Sequence, residues 1–212
     1  MLPERISFTA ALLRERLAAT KVPKDPTNVI MPPGSEHWPA FMREQLMQTL
    51  KPAGVLIPVI ERPDGLSVLL TQRSAELKRH AGQVSFPGGR MEEADRDIVQ
   101  TALRETHEEV GIPPDSIAVI GYLQPMLTVT GYAVTAVIGL IAAAVPLDLD
   151  RTEVEYAFEV PLPFLLDKRN QRASEREFQG RRIPTVEFRH GDQHIWGATA
   201  HMLVELRKIL LK

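Results

Sequence analysis

The stretch from Asp97 to Ile112 limits the fold of this chain more than any other. Asp97 is a natural N-cap and Gln100 stands three residues on, a variant capping box that starts a helix. Gly111, followed by Ile112-Pro113-Pro114, stops it. Between these marks Val99, Leu103, Thr106 and Val110 recur at spacings of four, three and four. At about 100° per residue they form a narrow stripe that needs a core to pack on. Glu105, Glu108 and Glu109 fall on the opposite side of the wheel, in an arc of roughly 100°. Glu105 has like-charge neighbours at i+3 and i+4, each unfavourable by about 0.2–0.5 kcal/mol. All three glutamates lie in the last two turns, at the negative end of the helix dipole, where an anion loses roughly 0.3–1 kcal/mol. Within the helix only Arg104 and His107 offset this charge. The helix therefore demands an apolar surface on one side and a cation on the other. An acidic run by itself is ordinarily wet surface, so the demand for a cation gains its weight from the residues upstream.

Those residues belong to a chain of alternating textures. Residues 7–19 predict an amphipathic helix, with Ser7 as N-cap and Ala10, Leu12, Leu13 and Leu17 along it. Residues 20–36, rich in Pro, Lys, Asp and Gly, predict a loop, and Trp38 to Leu50 a second helix. From Gly54 strands dominate. Val55 to Ile60 and Leu66 to Thr71 form a hairpin across Pro63-Asp64-Gly65. A basic loop, Arg73 to Gly82, leads to a short strand, Gln83 to Phe86, then to Pro87-Gly88-Gly89 and an acidic loop. Ser116 to Leu123 and Tyr132 to Ala142 are further strands, and Glu153 to Val160 a weaker one. Arg182 to Arg189 pairs with His194-Ile195 across residues 190–193, and Trp196 to Leu211 closes the chain as a helix. Strands interleaved with helices, with an antiparallel hairpin, predict an α/β (α+β) sandwich with a mixed sheet. Residues 1–50 read as a helical extension and linker, and residues 51–212 as the main domain.

Composition excludes several classes. With 25 basic and 27 acidic residues in 212 the net charge is -2, so nothing calls for nucleic acid as a partner. There is no cysteine, hence no disulfide, thiolate nucleophile or Cys-ligated metal. The N-terminus is broken by charge every few residues and lacks the apolar core of a signal peptide. The most apolar run, Ala133 to Leu147, is too short for a bilayer and contains Gly139 and Pro146. The expectation is a cytoplasmic protein with no membrane partner.

The stretch Gly89-x5-Asp95-x8-Arg104-Glu105-Thr106-His107-Glu108-Glu109-Val110-Gly111-Ile112 resembles the Nudix box, G-x5-E-x7-R-E-U-x-E-E-x-G-U with U bulky and apolar. Three departures are visible. Asp95 replaces the first Glu, one extra residue separates it from Arg104, and Thr106 replaces an apolar residue. Upstream, Leu69-Leu70-Thr71-Gln72-Arg73-Ser74-x3-Lys78-x3-Gly82-x3-Phe86-Pro87-Gly88-Gly89 resembles the signature of coenzyme A-cleaving members, with Lys78 in place of Arg. Lysine keeps the charge but loses the bidentate fork. The resemblance runs over about residues 50–200, including Ile195 to Thr199, and leaves the first fifty residues uncovered.

The resemblance implies an α/β/α sandwich with a loop–helix–loop catalytic motif. It also implies a metal-dependent hydrolase of a nucleoside diphosphate derivative, here coenzyme A or an acyl form of it, cleaved to 3′,5′-ADP and 4′-phosphopantetheine. A homodimer is compatible with the family. Glu105, Glu108 and Glu109, with Asp95, are the expected ligands of Mg²⁺ or Mn²⁺, since oxygen donors suit hard cations. Arg104 is implied to pair with Asp95 and stiffen the loop–helix junction. Glu108, Glu109 or Glu153 could serve as general base. Arg73, Lys78, Arg79, Gly82, Phe86, Gly88 and Gly89 are expected to bind the small-molecule substrate, the cations facing its phosphates. Two other readings stay open: a Nudix pyrophosphatase of ADP-ribose or NADH, and a non-catalytic module that senses a nucleotide.

Overall fold

A computed structural model describes residues 8–77, 80–143, 145–178 and 180–212. In chain order the elements are α1 (Ala10–Leu17), α2 (Ala40–Gln48), β1 (Lys51–Arg62), β2 (Gly65–Arg73), β3 (Val84–Ser85), β4 (Gly88–Arg90) and α3 (Ile98–Val110). They continue with β5 (Ile117–Tyr122), β6 (Met126–Leu127), β7 (Tyr132–Ala142), β8 (Val154–Pro161), α4 (Leu162–Leu166), β9 (Gln171–Phe178), β10 (Arg181–His190), β11 (Gln193–Trp196) and α5 (Gly197–Leu210).

Strand β1 is the spine. It runs parallel to β7 over its whole length, from Lys51 opposite Tyr132 to Glu61 opposite Ala142, and antiparallel to β2 only at its far end, Val59 to Arg62. Beyond that end β2 leaves β1, and a wedge of chain enters the gap. On one side of the wedge β3 pairs with β2, and on the other β4 pairs with β1 at Ala53 to Val55. Between them the Pro87 carbonyl accepts the Leu56 N–H at 2.9 Å. Strand β8 covers the outer edge of β2, and β5 with β6 the outer edge of β7. One parallel pair among antiparallel ones makes the sheet mixed, as expected. A separate antiparallel sheet, β9-β10-β11, lies beside it.

Period-two alternation sends the sheet's side chains to two cores. Leu56 and Ile60 of β1, Leu69 of β2, and Val137 and Ile141 of β7 pack on one face with Ala102 and Val110 of α3. Ile57 and Val59, Val68 and Leu70, and Ile138 and Leu140 face the other way, against Leu13 and Leu17 of α1 and Leu203 and Leu206 of α5. Each fully buried aliphatic side chain contributes roughly 1.5–3 kcal/mol against exposure. The result is an α/β/α sandwich.

The first helix begins later than expected, with Thr9 as its cap accepting the Leu12 N–H at 3.2 Å; Ser7 lies outside the described residues. Strand β9 and helix α4 were not anticipated. Strand β9 reads Gln-Arg-Ala-Ser-Glu-Arg-Glu-Phe, too charged to show an apolar period, and α4 is one short turn.

Candidate active site

Helix α3 is held where its charges matter. Asp97 caps it by accepting the Gln100 N–H at 2.9 Å, and Gly111 ends it in the left-handed region at φ 74°. Thr106, where an apolar residue is usual, is fully buried and donates its hydroxyl to the Ala102 carbonyl at 2.6 Å, so its polar atom has a partner inside the helix. Gly54 lets the helix lie directly on β1: a Cβ there would sit 2.6 Å from the Ile98 carbonyl oxygen and 3.1 Å from the Ala102 nitrogen. Gly89 does the same for the Glu105 carboxylate, which occupies the space that a side chain on β4 would need.

The glutamates do not share one wet face. Glu108 is exposed, Glu105 is largely covered, and the side chain of Glu109 is only 4% exposed. Glu105 and Glu109 face β4 and the end of β2 rather than open water. Arg104 is the hub on the outer side. Its Nη1 donates to Glu105 and to Glu108, both at 2.9 Å, and its Nη2 also reaches the Arg90 carbonyl at 3.3 Å. Its Nε and Nη2 form a fork on Asp95 at 3.0 and 2.9 Å. Asp95 further accepts the Thr101 hydroxyl and the Glu92 N–H, each at 2.9 Å. Held chiefly by Arg104, its carboxyl is pulled down to about 2. Both Asp95 oxygens are thus committed to the loop–helix junction, which departs from its expected place among the metal ligands.

On the inner side the partner is Arg73, at the end of β2. Its Nη1 lies 3.6 Å from Glu109 Oε1 and its Nη2 lies 3.9 Å from Glu153 Oε2. Glu153 arrives from the loop before β8. That loop is laced to the site by its backbone: the Asp148 N–H donates to the Val110 carbonyl, the Asp150 N–H to the Glu109 carbonyl, and the Ser74 N–H to the Glu153 carbonyl. Burial pushes the Glu109 carboxyl up to about 8; Glu153 and Glu105 push the same way, while the Arg73 guanidinium and the Gly88 N–H oppose it. Burial also raises Glu105, against the pull of Arg104.

The NUDIX domain profile matches residues 50–194. A Nudix hydrolase of Escherichia fergusonii, NudL, described as uncharacterized, is 41% identical over 179 residues, covering 79% of this chain and 86% of that protein. NudL of Shigella boydii has the same identity and coverage. This chain belongs to the Nudix family. It is a Nudix hydrolase, acting on a phosphoanhydride bond. A binary complex of a C. elegans Ap4A hydrolase shares 18% identity over 52% of this chain and 80% of that one, at a TM-score of 0.46, a likeness too distant to bear on substrate.

The Nudix box thus spans the acidic loop, the Asp95–Arg104 junction and α3. Of the residues expected to bind substrate, Gly88 and Gly89 lie in β4 under the glutamates, and Gly82 turns in the left-handed region at φ 67°. Phe86 departs from expectation: it is buried in the main core and supports the wedge from behind. Lys78 and Arg79 lie outside the described residues. Sequence reasoning missed Gly54 and Thr101; a lone glycine inside a strand pattern is the signal that marks the first, since it denotes close approach of another backbone. Among the described residues, no three carboxylate or imidazole groups close round one point, because Arg104 and Arg73 hold the glutamate heads. The donors nevertheless suit a hard cation: all are carboxylate oxygens, and Glu109 Oε2 is buried without any hydrogen-bond partner. No helix among the described residues is long and apolar enough to cross a membrane.

Proposed function

We propose that this Nudix hydrolase cleaves the diphosphate of coenzyme A or its acyl derivatives, giving 3′,5′-ADP and (acyl-)4′-phosphopantetheine. The observation that carries the substrate is the signature from Leu69 to Gly89, matched at every position but Lys78, whose Arg73 reaches toward both Glu109 and Glu153. Glu105, Glu108 and Glu109 would hold Mg²⁺ or Mn²⁺, with Asp95 left to fix Arg104. A bound divalent ion neutralises diphosphate oxygens and acidifies a water. Arg73 and the loop after it bind the phosphates, and Gly89 leaves room for the Glu105 carboxylate beside them. Glu153, on the wall facing the helix, accepts the proton of the attacking water. The site takes a small molecule in a protein we place in the cytoplasm, with residues 51–212 as the catalytic unit and a homodimer compatible with the family.

The test is direct. Incubate the protein with Mg²⁺ or Mn²⁺ and, separately, coenzyme A, acetyl-coenzyme A, ADP-ribose and NADH, and resolve the products by chromatography. Coenzyme A and its acetyl form should be the preferred substrates. Turnover of ADP-ribose or NADH with coenzyme A untouched would favour the second reading, a pyrophosphatase of another nucleotide, for which Lys78 in place of Arg is the motivating residue. Glu108→Gln should lower kcat by orders of magnitude. Full activity in that variant would refute the role given to the helix, and binding without turnover of any substrate would point to a non-catalytic module.

A further inference from the structure

The pair formed by Arg73 and Glu109 is incomplete in a specific way. At 3.6 Å the two attract one another but are not hydrogen-bonded. Arg73 Nε is buried with no acceptor, and Glu109 Oε2 is buried with no donor. An unmet buried polar group is costly, and a native fold rarely leaves two on one ion pair. The backbone offers little relaxation. The Arg73 N–H donates to Gln83 at 2.9 Å, its carbonyl accepts from Gly82 at 3.2 Å, and the next N–H, of Ser74, is bound to Glu153 at 2.8 Å. What the pair lacks is one anionic oxygen for the arginine and one cation for the glutamate. A diphosphate carrying a divalent ion supplies both.

We propose that Arg73 is a placeholder cation that couples metal binding to diphosphate binding. This rests on the reading of α3 as the metal-holding helix. Without an ion, Arg73 is the cation set between Glu109 and Glu153, and it holds the position that an ion would take. When an ion takes Glu109, Arg73 is displaced from that carboxyl and its Nε and fork turn to phosphate. Each ligand then prepares the site for the other, and the coupling is reciprocal. Arg73 is in this respect a positioning residue as well as a phosphate ligand.

Calorimetry separates the possibilities without turnover, using Mn²⁺ alone, methylenediphosphonate alone (its P–C–P bridge resists hydrolysis), and each in the presence of the other. In the wild-type protein, methylenediphosphonate should tighten Mn²⁺ by on the order of tenfold, within the range usual for coupled sites. Arg73→Met should bind Mn²⁺ alone several-fold more tightly than wild type, because the competing cation is gone, and should keep only the coupling that direct contact between Mn²⁺ and the diphosphonate gives. Arg73→Lys keeps the charge and loses the fork. It should bind Mn²⁺ like wild type with weakened coupling, and it carries the test if the Met variant does not fold. A merely structural Arg73 would not yield tighter Mn²⁺ binding on removal, so unchanged or weaker affinity in Arg73→Met overturns the inference, as does full coupling in either variant. Failure of the wild-type protein to bind Mn²⁺ at all would overturn the metal reading itself and this inference with it.

Discussion

Asp95 and Glu109 show how two carboxylates of one motif come to opposite electrostatic states. Asp95 is buried with a guanidinium fork, a hydroxyl and an amide around it, so its charge is wanted. Removing the fork leaves that charge buried and unpaired. Arg104→Met should therefore destabilise the protein by on the order of 3 kcal/mol in urea unfolding at neutral pH; a loss below ~0.5 kcal/mol would show the pair to be dispensable. The effect should fade in acid. The folded carboxyl is held at about 2, so its contribution is present above its ordinary value near 3.8 and lost as pH falls through 2. Glu109 runs the other way. Its folded carboxyl stays protonated up to about 8, while in the unfolded chain it ionises near 4.5. Between these values the folded state binds more protons, so the metal-free protein should lose stability as pH rises from about 5 to about 8, by at most ~1.4 kcal/mol per unit. Glu109→Gln should flatten this slope, and Mn²⁺ binding to the wild type should release a proton, seen as a dependence of the calorimetric heat on buffer ionisation. A flat stability profile in EDTA that Glu109→Gln leaves unchanged would refute the assignment.

Helix α3 and the strands beneath it show which parts of a site can be read from one dimension. The helix bounds, its cap, its stop and its glutamates were legible because each has a local cause: an Asx cap, a left-handed glycine, a 3.6-residue period. The mixed sheet and the β10–β11 hairpin were legible for the same reason. The burial of Glu109 was not, since the wheel gives a direction and not what lies in it. Nor was the wedge of β3 and β4, which exists only because β2 leaves β1 halfway along. Asp95 could be placed beside Arg104 from the motif, yet the number of its partners needed Thr101 and the Glu92 N–H in space. Gly54 is the cleanest test of how closely this element must seat. An alanine there would meet the Ile98 carbonyl at 2.6 Å, backbone that cannot rotate aside, so α3 must lift from β1. Gly54→Ala should cost about 1–3 kcal/mol in thermal unfolding. It should also lower kcat beyond what the lost stability accounts for, because Glu105 and Glu109 ride on the displaced helix. Unchanged melting and turnover would mean that the approach is looser than this geometry.

For the whole molecule, the question is what the first fifty residues are. They lie mostly outside the Nudix profile, and their sequence reads as two helices joined by a wandering loop. In space α1 is a wall of the main core. Leu13 and Leu17 are fully buried in the cluster that includes Ile57, Ile138 and Leu203. Leu17 lies against Gly121 of β5, and the Tyr122 N–H donates to the Thr20 hydroxyl at 3.0 Å. Further along, Ile30 bridges to Met126, and Trp38 and Met42 pack with Leu127 and Ile183. The sheet's face opposite α3 would lose part of its cover without these residues, and the Tyr122 N–H of β5 would lose its acceptor. The extension is therefore a layer packed on the catalytic unit rather than a loose appendage. If so, a cavity at Leu17 should be felt by the whole fold and not by α1 alone. Leu17→Ala should cost about 2–5 kcal/mol, with one cooperative transition whose midpoint is the same by near-ultraviolet signal and by loss of activity. An α1 that frays independently would instead give two transitions, the first leaving turnover intact. In that case residues 1–50 would be an accessory to a sheet that closes its core without them.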